Sequence, residues 1–316
     1  MSSIALNKNQ VGKFLMKYGI YVAFVILLVV LSVSSSSFLT LNNVLNILRQ
    51  ASISGIIAVG MTFVIIRGGI DLSVGSILAF SAVVATSFAH PGEYPLVVSI
   101  LLGLGAGVVL GFLNGYVISK WKVAPFIVTL GMMTAARGLT MVYTEGRPII
   151  NLSDGYNFIG GGYVAGIPLP VIVFIVVILV GVYGLHLTKF GRHVLASGGN
   201  EKASKLSGVK VNKIQIAVYT ISGLTAALAG ILLSSRVMTG SPILGQGYEL
   251  DAIAAVVIGG TSLSGGRGTI IGTVIGVLII GIMNNGLDLM NVSSYYQQII
   301  KGVIIVLAVL LDKKTH

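Results

Sequence analysis

The sequence predicts an all-α membrane protein, a polytopic bundle of about ten transmembrane helices with both termini in the cytoplasm. Hydrophobic residues make up 55% of the 316 residues and charged residues only 9%, whereas soluble domains carry about 25% charged residues. The 42 glycines suit helices that pack closely in a bilayer. Because the chain has no cysteine, disulfide frameworks and thiolate metal sites are excluded.

Ten apolar runs are the candidate helices. A helix that crosses a bilayer needs about 20 apolar residues, with about 17 as the lower limit. The runs cover roughly residues 17–35, 51–66, 72–89, 95–119, 124–143, 168–187, 214–235, 250–261, 268–285 and 295–311. The eighth run is short, so eight spans with broken helices is the alternative to ten.

The distribution of charge sets the orientation, because cytoplasmic loops are enriched in Lys and Arg. With the N-terminus inside, the inner segments hold most of the 20 basic residues, namely Lys8, Lys13, Lys17, Arg67, Lys120, Lys122, Lys189, Arg192, Lys202, Lys205, Lys210, Lys213, Arg267, Lys313 and Lys314. The outer segments hold most of the acids, namely Glu93, Glu145, Asp154, Glu249, Asp251 and Asp288. This bias explains the net charge of +11 without a nucleic acid partner.

Glycine spacing in the fourth run predicts close helix packing. Gly103, Gly107, Gly111 and Gly115 recur every four residues, which places them along one side of a helix. Such a smooth ridge lets another backbone approach, and internal packing is favoured over a dimer seam. Gly272 and Gly276 repeat the spacing later in the chain.

No catalytic constellation emerges from the motifs. The four histidines are scattered singly, and the G-x-x-x-x-G from Gly260 lacks the Lys-Ser/Thr of a phosphate-binding loop. We therefore expect no metal or nucleotide site in this chain. A faint repeat is present instead. The segments "GGIDLSVGS" from Gly68 and "GGTSLSGGRG" from Gly259 each lie between two apolar runs, at an inner hairpin.

A few charged residues lie in or near the spans. Asp71 follows a Gly-Gly break and is expected to cap the next helix, and this is compatible with Asp71 and Ser73 lining a solute path. Arg137 and Lys301 are expected to extend toward the membrane interface, as long basic side chains do.

Amides and outer arginines are further candidates. Asn114, Asn284 and Asn285 lie at or near span ends, where their amides either bind hydroxyl groups of a solute or join neighbouring helices. Arg147 and Arg236 are basic residues in otherwise acidic outer segments, so they are candidates for pairing with acids on a partner, with ordinary helix-end charges as the alternative.

The segment 188–213 is unusually basic, with six Lys or Arg residues and one acid, Glu201. Asn200 is a good N-cap and Gly208 a good C-terminal stop, so about two turns of helix are predicted between them. Two turns are unstable alone in water and need a surface to pack on. The Gly198-Gly199 pair permits a sharp entry, and we predict a cytoplasmic docking element for a soluble partner.

Several blocks of the sequence make a resemblance specific. The chain resembles the permease subunits of bacterial ATP-binding-cassette (ABC) sugar importers, above all the ribose permeases, over nearly its whole length. The blocks are "AVGMTFVIIRGGIDLSVGS" (58–76), "RGLTMVYTEGRP" (137–148), "GRHVLASGGNEKASKLSGVKVNKI" (191–214), "GYELDAIAAVVIGGTSLSGGRGTIIGTVIG" (247–276) and "NNGLDLMNVSSYYQ" (284–297).

The resemblance implies one transmembrane permease domain over 1–316 in the bacterial cytoplasmic (inner) membrane. It implies transport of ribose or a similar monosaccharide by alternating access, without bond chemistry in this chain. ATP and Mg²⁺ would be bound by a separate ABC ATPase. The other implied partners are an extracytoplasmic sugar-binding protein and a second permease copy, in a lipid membrane.

The resemblance also assigns 188–213 as the cytoplasmic coupling loop that receives the ATPase. The residues that it marks there are Arg192, Gly199, Asn200, Glu201, Ala203, Ser207 and Gly208. The loop departs from the E-A-A motif of other importer classes, so only the position of the coupling helix is carried over.

Two other function classes compete with this interpretation. An ATPase-independent secondary sugar transporter would need a buried acid for proton coupling, and Asp71 is the inner-half candidate. A structural or receptor membrane protein would give no solute flux. Uptake by the permease alone in liposomes separates the first of these from an ATP-driven importer.

Overall fold

The computed structural model describes residues 21–22 and 24–314. The N-terminus, with Lys8, Lys13 and Lys17, lies outside the described residues, as does the beginning of the first predicted span. The described part of the chain is almost entirely helical, with one two-stranded hairpin.

The elements follow one another in chain order. They are α1 (Phe24–Ser34), α2 (Leu41–Ile66), α3 (Val74–Ser87), α4 (Leu96–Trp121), α5 (Pro125–Thr144), α6 (Asp154–Gly161), β1 (Tyr163–Val164), β2 (Ile167–Pro168), α7 (Leu169–Val182) with a π-helical turn (Tyr183–Leu187), α8 (Lys189–Gly199), α9 (Glu201–Leu206), α10 (Val211–Arg236), α11 (Tyr248–Ile258), α12 (Ile270–Leu289) and α13 (Ser294–Lys314). Among the residues described, six helices are long and apolar enough to cross a membrane: α2, α4, α5, α7 with its turn, α10 and α12.

The bundle has a buried centre and an apolar periphery. In the most apolar stretch of α2, 83% of the residues are buried, against 17% for α5. Outer helices instead expose large apolar side chains such as Val109, Phe126 and Leu179. An apolar surface of this extent has no favourable contact with water, so it faces lipid and the protein is an all-α membrane bundle.

The glycine ridge predicted on α4 is confirmed, and α10 is the helix that packs on it. A methyl group added at Gly107 would lie 2.5 Å from the carbonyl oxygen of Gly223, and one at Gly115 would lie 2.7 Å from Cα of Ile216. All four ridge glycines are buried. Small residues therefore bring the two backbones together inside the chain.

The connection from α10 to α11 explains why the eighth predicted span is short. This stretch runs beside α3, with Gly240 packed on Thr86 and Gly245 close to the backbone of Gly75. Helix α11 therefore begins deep in the bundle and has only 11 residues.

The structure differs from the predicted elements in one boundary and in several short elements that were not predicted. Helix α2 begins ten residues earlier than the predicted span, because polar side chains there find partners within the bundle, such as Asn43 with Asn285. Helix α8 was not predicted within the basic segment, and neither was α6 with its hairpin. Thr188 caps α8 by accepting from the amide of Gly191 at 3.2 Å.

Candidate functional site

The basic segment, 188–213, folds into two short helices, α8 and α9, before α10 begins. The predicted short helix is present as α9, and Oδ1 of Asn200 accepts the amide hydrogen of Ala203 at 2.9 Å. Gly208 ends the turn with φ +82°, a conformation that favours glycine. The capping reasoning from the sequence is thus confirmed for α9.

Two glycine pairs hold this segment against the core. The amide of Gly266 donates to the carbonyl oxygen of Ile66, the last residue of α2, at 2.7 Å. Gly198 packs directly on that carbonyl, and a methyl group there would also lie 2.8 Å from the nitrogen of Gly266. Gly265 in turn lies near Gly68, so the two repeated glycine motifs meet at one place, which we call the coupling junction (66–68, 198–199 and 265–266).

The sequence reasoning on Gly198-Gly199 was wrong in one respect. Neither residue has a positive φ, and both continue α8 to its end. Gly198 is needed for close approach, whereas a methyl group at Gly199 would meet only Cα of Gly266 at 3.8 Å. The turn itself comes at Asn200, which is extended with φ −153°.

An ion pair links the segment to the end of α2. Nη2 of Arg67 donates to a carboxylate oxygen of Glu201 at 2.8 Å, and Nη1 donates to the carbonyl oxygen of Ser197 at 3.3 Å. Lys205 pairs with the other oxygen of Glu201. The hydrogen bonds from Lys205 and then Arg67 lower the pKa of Glu201 to about 2. From the sequence, Arg67 was predicted only as one of the inner positive charges, and its contact with Glu201 was not predicted.

The outer face of α9 is exposed and partly apolar. Ala203 and Leu206 are both exposed. Leu206 is a large apolar residue, yet it exposes 90% of its surface. Lys202 and Ser207 are also exposed, as is Arg192 on α8. Leu206 was not predicted as a site residue. The available signal was its position three residues after Ala203, which places both side chains on one face of a helix.

Asp71 lies in a buried polar network and not in an open path. Its Oδ1 accepts from the amide and hydroxyl of Ser73 at 3.0 and 2.5 Å, and its Oδ2 accepts from the hydroxyl of Ser222 at 2.8 Å. Nδ2 of Asn114 donates to the hydroxyl of Ser73 at 2.8 Å. All four residues are fully buried. The carboxylate therefore orders the turn before α3 and ties α3 to α4 and α10.

The five candidates for a solute path do not come together. Asp71, Ser73 and Asn114 share the buried network, whereas Asn285 exchanges two amide hydrogen bonds with Asn43 at 2.9 and 2.8 Å. Asn284 instead lines a cavity of about 850 Å³ between α2, α10, α11, α12 and α13.

Arg137 and Lys301 do not extend to the interface, which corrects the prediction. Nη1 of Arg137 donates to the carbonyl oxygens of Pro242 and Leu244 at 2.6 and 2.9 Å, so it holds the connection before α11 in place. Nζ of Lys301 lies 3.0 Å from a carboxylate oxygen of Asp251. Both cations thus satisfy groups inside the bundle.

The two outer arginines differ in environment. Arg147 is exposed in the connection after α5. Arg236 is half-buried at the end of α10, where it lies 3.5 Å from Oδ1 of Asn46 and lines the cavity.

The family described as branched-chain amino acid transport system / permease component matches residues 43–309. The chain belongs to this permease family. It is 52% identical to the ribose import permease protein RbsC of Bacillus subtilis over 94% of this chain and 93% of the relative. The same protein of Escherichia coli K12 is 48% identical over 95% of each chain. The L-arabinose ABC transporter permease protein AraH of Azospirillum brasilense is 40% identical over 98% of this chain and 91% of the relative. No solved structure matches the chain.

As a member of the permease family, the chain is a transport component and not an enzyme. It is a multi-pass protein of the inner membrane. The family description names amino acids and the relatives name sugars, so membership alone does not define the solute.

Proposed function

We propose that the chain is the membrane-spanning permease subunit of an ATP-driven importer for ribose or a similar monosaccharide. The names and near-complete coverage of the relatives support this solute class. The observation that carries the mechanism is the coupling junction, where the exposed helix α9 is fixed to the end of α2, whose most apolar stretch is more buried than that of the other five candidate spans.

Segment 188–213 acts as the coupling loop in this proposal. Leu206 and Ala203 offer a small apolar contact to an ATPase subunit, and Lys202, Ser207 and Arg192 are further exposed residues of the loop. Asn200 and Gly208 keep α9 helical, and Gly199 and Glu201 lie where α9 meets the core. Movement of α9 is passed to α2 through Glu201 and Arg67 and through backbone contacts at Gly198. Because such contacts transmit displacement only when they are tightly packed, their geometry matters more than their charge.

The topology that we propose has ten crossings within a single domain, 1–316, and both termini in the cytoplasm. It requires that α3 crosses although it is shorter than a full span, and that α11 crosses together with the extended stretch before it. The first crossing includes α1 and residues before it that lie outside the described part of the chain. Irregular backbone of this kind is tolerated at membrane depth where protein encloses it. Arg137 helps to enclose this stretch, because its side chain donates hydrogen bonds to the carbonyl oxygens of Pro242 and Leu244.

The remaining partners follow from the importer class. ATP and Mg²⁺ bind to the ATPase subunit, a second permease copy completes the path, and a sugar-binding protein docks outside. Arg147 is the exposed candidate for that docking, and Arg236 is a half-buried one. Asp71, Ser73, Asn114 and Asn285 support the path by ordering its walls, and Asn284 lines it. Lipid surrounds the periphery, and nucleic acid has no role.

Reconstitution tests this proposal against an autonomous transporter. We expect [¹⁴C]ribose uptake into proteoliposomes only when permease, ATPase, loaded binding protein and ATP are all present. Permease alone should give no uptake above protein-free vesicles. Uptake by permease alone at the rate of the full complex would contradict an ATP-driven importer, and absence of uptake in every combination would contradict transport of ribose.

A further inference from the structure

A smaller cavity lies next to the coupling junction, with which it shares Arg67 and Gly68. Its walls come from the ends of α2 and α4, the connection to α5, the first residue of α9 and the beginning of α10. Its volume is about 230 Å³, below the roughly 300–1,000 Å³ that is typical of sites for a whole small molecule. The size therefore suits one polar group of a ligand.

A buried amide without a partner lines this cavity. Gln215 on α10 exposes only 7% of its surface, and within the described residues its side chain makes no hydrogen bond. Burial of an amide without a hydrogen bond is unfavourable, and its NH₂ group carries two donors. The amide is thus free to donate to a group that enters the cavity.

Two cations in the lining keep unused donors. Arg67 exposes only 8% of its surface, and its Nε–H has no acceptor among the described residues. Nζ of Lys122 donates to Oδ1 of Asn212 at 2.7 Å, which occupies one of the three hydrogens of the ammonium group. An acceptor with several oxygen atoms is therefore the ligand group that both cations can bind.

The charges around the cavity favour an anion. Glu201 is the acid of the lining, and its two carboxylate oxygens already accept from Arg67 and Lys205. Lys122 is left as a positive charge that no acid of the lining pairs. The first residue of α5, Pro125, also lines the cavity, so the positive end of that helix dipole faces the same space. Arginine, lysine and helix N-termini are the groups with which proteins bind phosphate.

The last residues of α4 place the cavity at the surface of the bilayer. Lys120 and Trp121 precede Lys122 and are both exposed. Nζ of Lys120 lies 5.4 Å from the centre of the Trp121 ring. An exposed tryptophan beside basic residues at the end of a membrane helix is typical of the interface between hydrocarbon and water. Lipid headgroups and dissolved anions both reach this depth.

We infer that the cavity beside the coupling junction binds a phosphate group through Arg67, Lys122 and Gln215. The group belongs either to an anionic lipid or to free inorganic phosphate, since both present the same oxygen atoms. A bound phosphate contacts both the end of α2 and the end of α4. The site is separate from sugar transport and from ATP binding, so the inference goes beyond the proposed function and is tested on the permease alone.

Native mass spectrometry of the full-length chain tests this inference, because a lipid adduct and a phosphate adduct differ in mass. Phosphatidylglycerol, phosphatidylcholine and inorganic phosphate are titrated separately into the protein in detergent. Lys122→Gln removes a charge from the lining, and Lys120→Gln removes the same charge from an exposed residue outside it. We expect the apparent Kd for phosphatidylglycerol or phosphate to rise at least about tenfold in Lys122→Gln, because a charge-assisted hydrogen bond is lost, and less than about twofold in Lys120→Gln.

Two further variants separate binding from folding. Gln215→Leu keeps the net charge and should raise the apparent Kd about two- to tenfold, because one hydrogen bond to the phosphate is lost. Lys122→Arg keeps the charge and the donors, so it should bind within about threefold of the unsubstituted chain. If Lys122→Gln does not fold, Gln215→Leu carries the same test.

The outcomes decide both the site and the source of the phosphate. Loss of the phosphatidylglycerol adduct in Lys122→Gln supports a lipid headgroup, and loss of the phosphate adduct supports free phosphate. Equal weakening by Lys120→Gln and Lys122→Gln would overturn the inference, because it would show general attraction to a basic surface. Phosphatidylcholine binding as tight as that of phosphatidylglycerol would overturn it by showing an apolar groove. Unchanged binding in Lys122→Gln and Gln215→Leu, or no adduct on the unsubstituted chain, would also overturn it.

Discussion

The coupling junction and the larger cavity use opposite kinds of packing. At the junction, glycines at 198 and 266 let backbones touch, and the ionic side chains of Arg67 and Glu201 are paired. In the cavity lined by Asn284, about 850 Å³ is left open, and Oδ1 of Asn284 is buried without a partner among the described residues. The comparison shows that the bundle is tightly packed where α8 and α9 meet the end of α2 and is open between α2, α11 and α12.

The largest effect is expected where the junction is tightest. Gly198→Ala would push a methyl group into the carbonyl of Ile66, whereas Gly199→Ala would make an ordinary contact at 3.8 Å. Overpacking typically costs about 1–3 kcal/mol, so we expect ribose-stimulated ATP hydrolysis to fall about tenfold to hundredfold in Gly198→Ala. Gly199→Ala should remain within about twofold of the unsubstituted chain, since its new contact is unstrained. Equal activity of the two variants, per inserted permease, would mean that the junction does not transmit movement.

Next in size is the loss of the apolar contact on α9. Leu206→Glu removes an exposed leucine whose burial by a partner would contribute about 1.5–3 kcal/mol, so ATPase binding should weaken at least about tenfold. The matched change Lys202→Gln removes an exposed charge on the same helix and should weaken binding by less than about fivefold, because exposed ion pairs contribute about 0–1 kcal/mol. Co-purification of ATPase from detergent extracts at graded concentrations measures both. A ranking with Lys202→Gln more severe would show that charge dominates the surface.

The buried network of Asp71, which follows the coupling junction along the chain, tests whether hydrogen bonds between buried polar groups stabilise the bundle. Asp71→Asn keeps an oxygen for Ser73 and an amide that can donate to Ser222, whereas Asp71→Ala leaves Ser73 and Ser222 without their acceptor. Unsatisfied buried groups cost about 1–3 kcal/mol, so the amount of inserted Asp71→Ala should fall several-fold. Asp71→Asn should insert and transport nearly normally. A well-inserted but inactive Asp71→Asn would instead assign the charge itself to transport.

The sequence predicted the features that depend on neighbours along the chain. Asn200 and Gly208 delimit α9 through local capping, and the ridge from Gly103 to Gly115 follows from helical periodicity alone. These signals need no tertiary information, because the partner is the residue's own backbone or any smooth helix surface.

Features that depend on distant contacts were missed. Arg67 is separated from Glu201 by 134 residues, and Arg137 from Leu244 by 107, so neither spacing contains a signal for the pair. Leu206 was overlooked because a leucine in a helix is ordinarily assigned to the core. The three asparagines looked alike in the sequence, and only the tertiary structure separates Asn284, which is open, from Asn285, which is paired.

That separation gives a fourth prediction, on the cavity side of the comparison. Asn284→Leu removes an open amide, so we expect the amount of inserted protein to be unchanged and the KM for ribose uptake to rise about two- to tenfold, since one hydrogen bond contributes about 0.5–1.5 kcal/mol. Asn285→Leu removes both hydrogen bonds between Asn43 and Asn285 and leaves Oδ1 of Asn43 without its donor, so it should instead lower the amount inserted. Quantitative immunoblotting together with initial uptake rates distinguishes the two. The reverse assignment of effects would show that the cavity amide is structural.

The smallest effect concerns the ion pair of the junction and its dependence on pH. Because Lys205 and Arg67 lower the pKa of Glu201 to about 2, the contribution of this carboxylate is complete above its ordinary value of 4.5 and is lost only as the pH falls through about 2. Glu201 therefore stays charged throughout pH 5.5–8. Its side chain is 40% exposed, so Glu201→Gln should lower ribose-stimulated ATP hydrolysis by less than about fivefold, in line with the modest worth of exposed pairs. The factor between Glu201→Gln and the unsubstituted chain should also stay constant across this range, because neither side chain titrates there. A factor that shrinks toward pH 5.5 would mean that Glu201 is being protonated in the assembled transporter, and hence that docking of the ATPase separates it from Arg67.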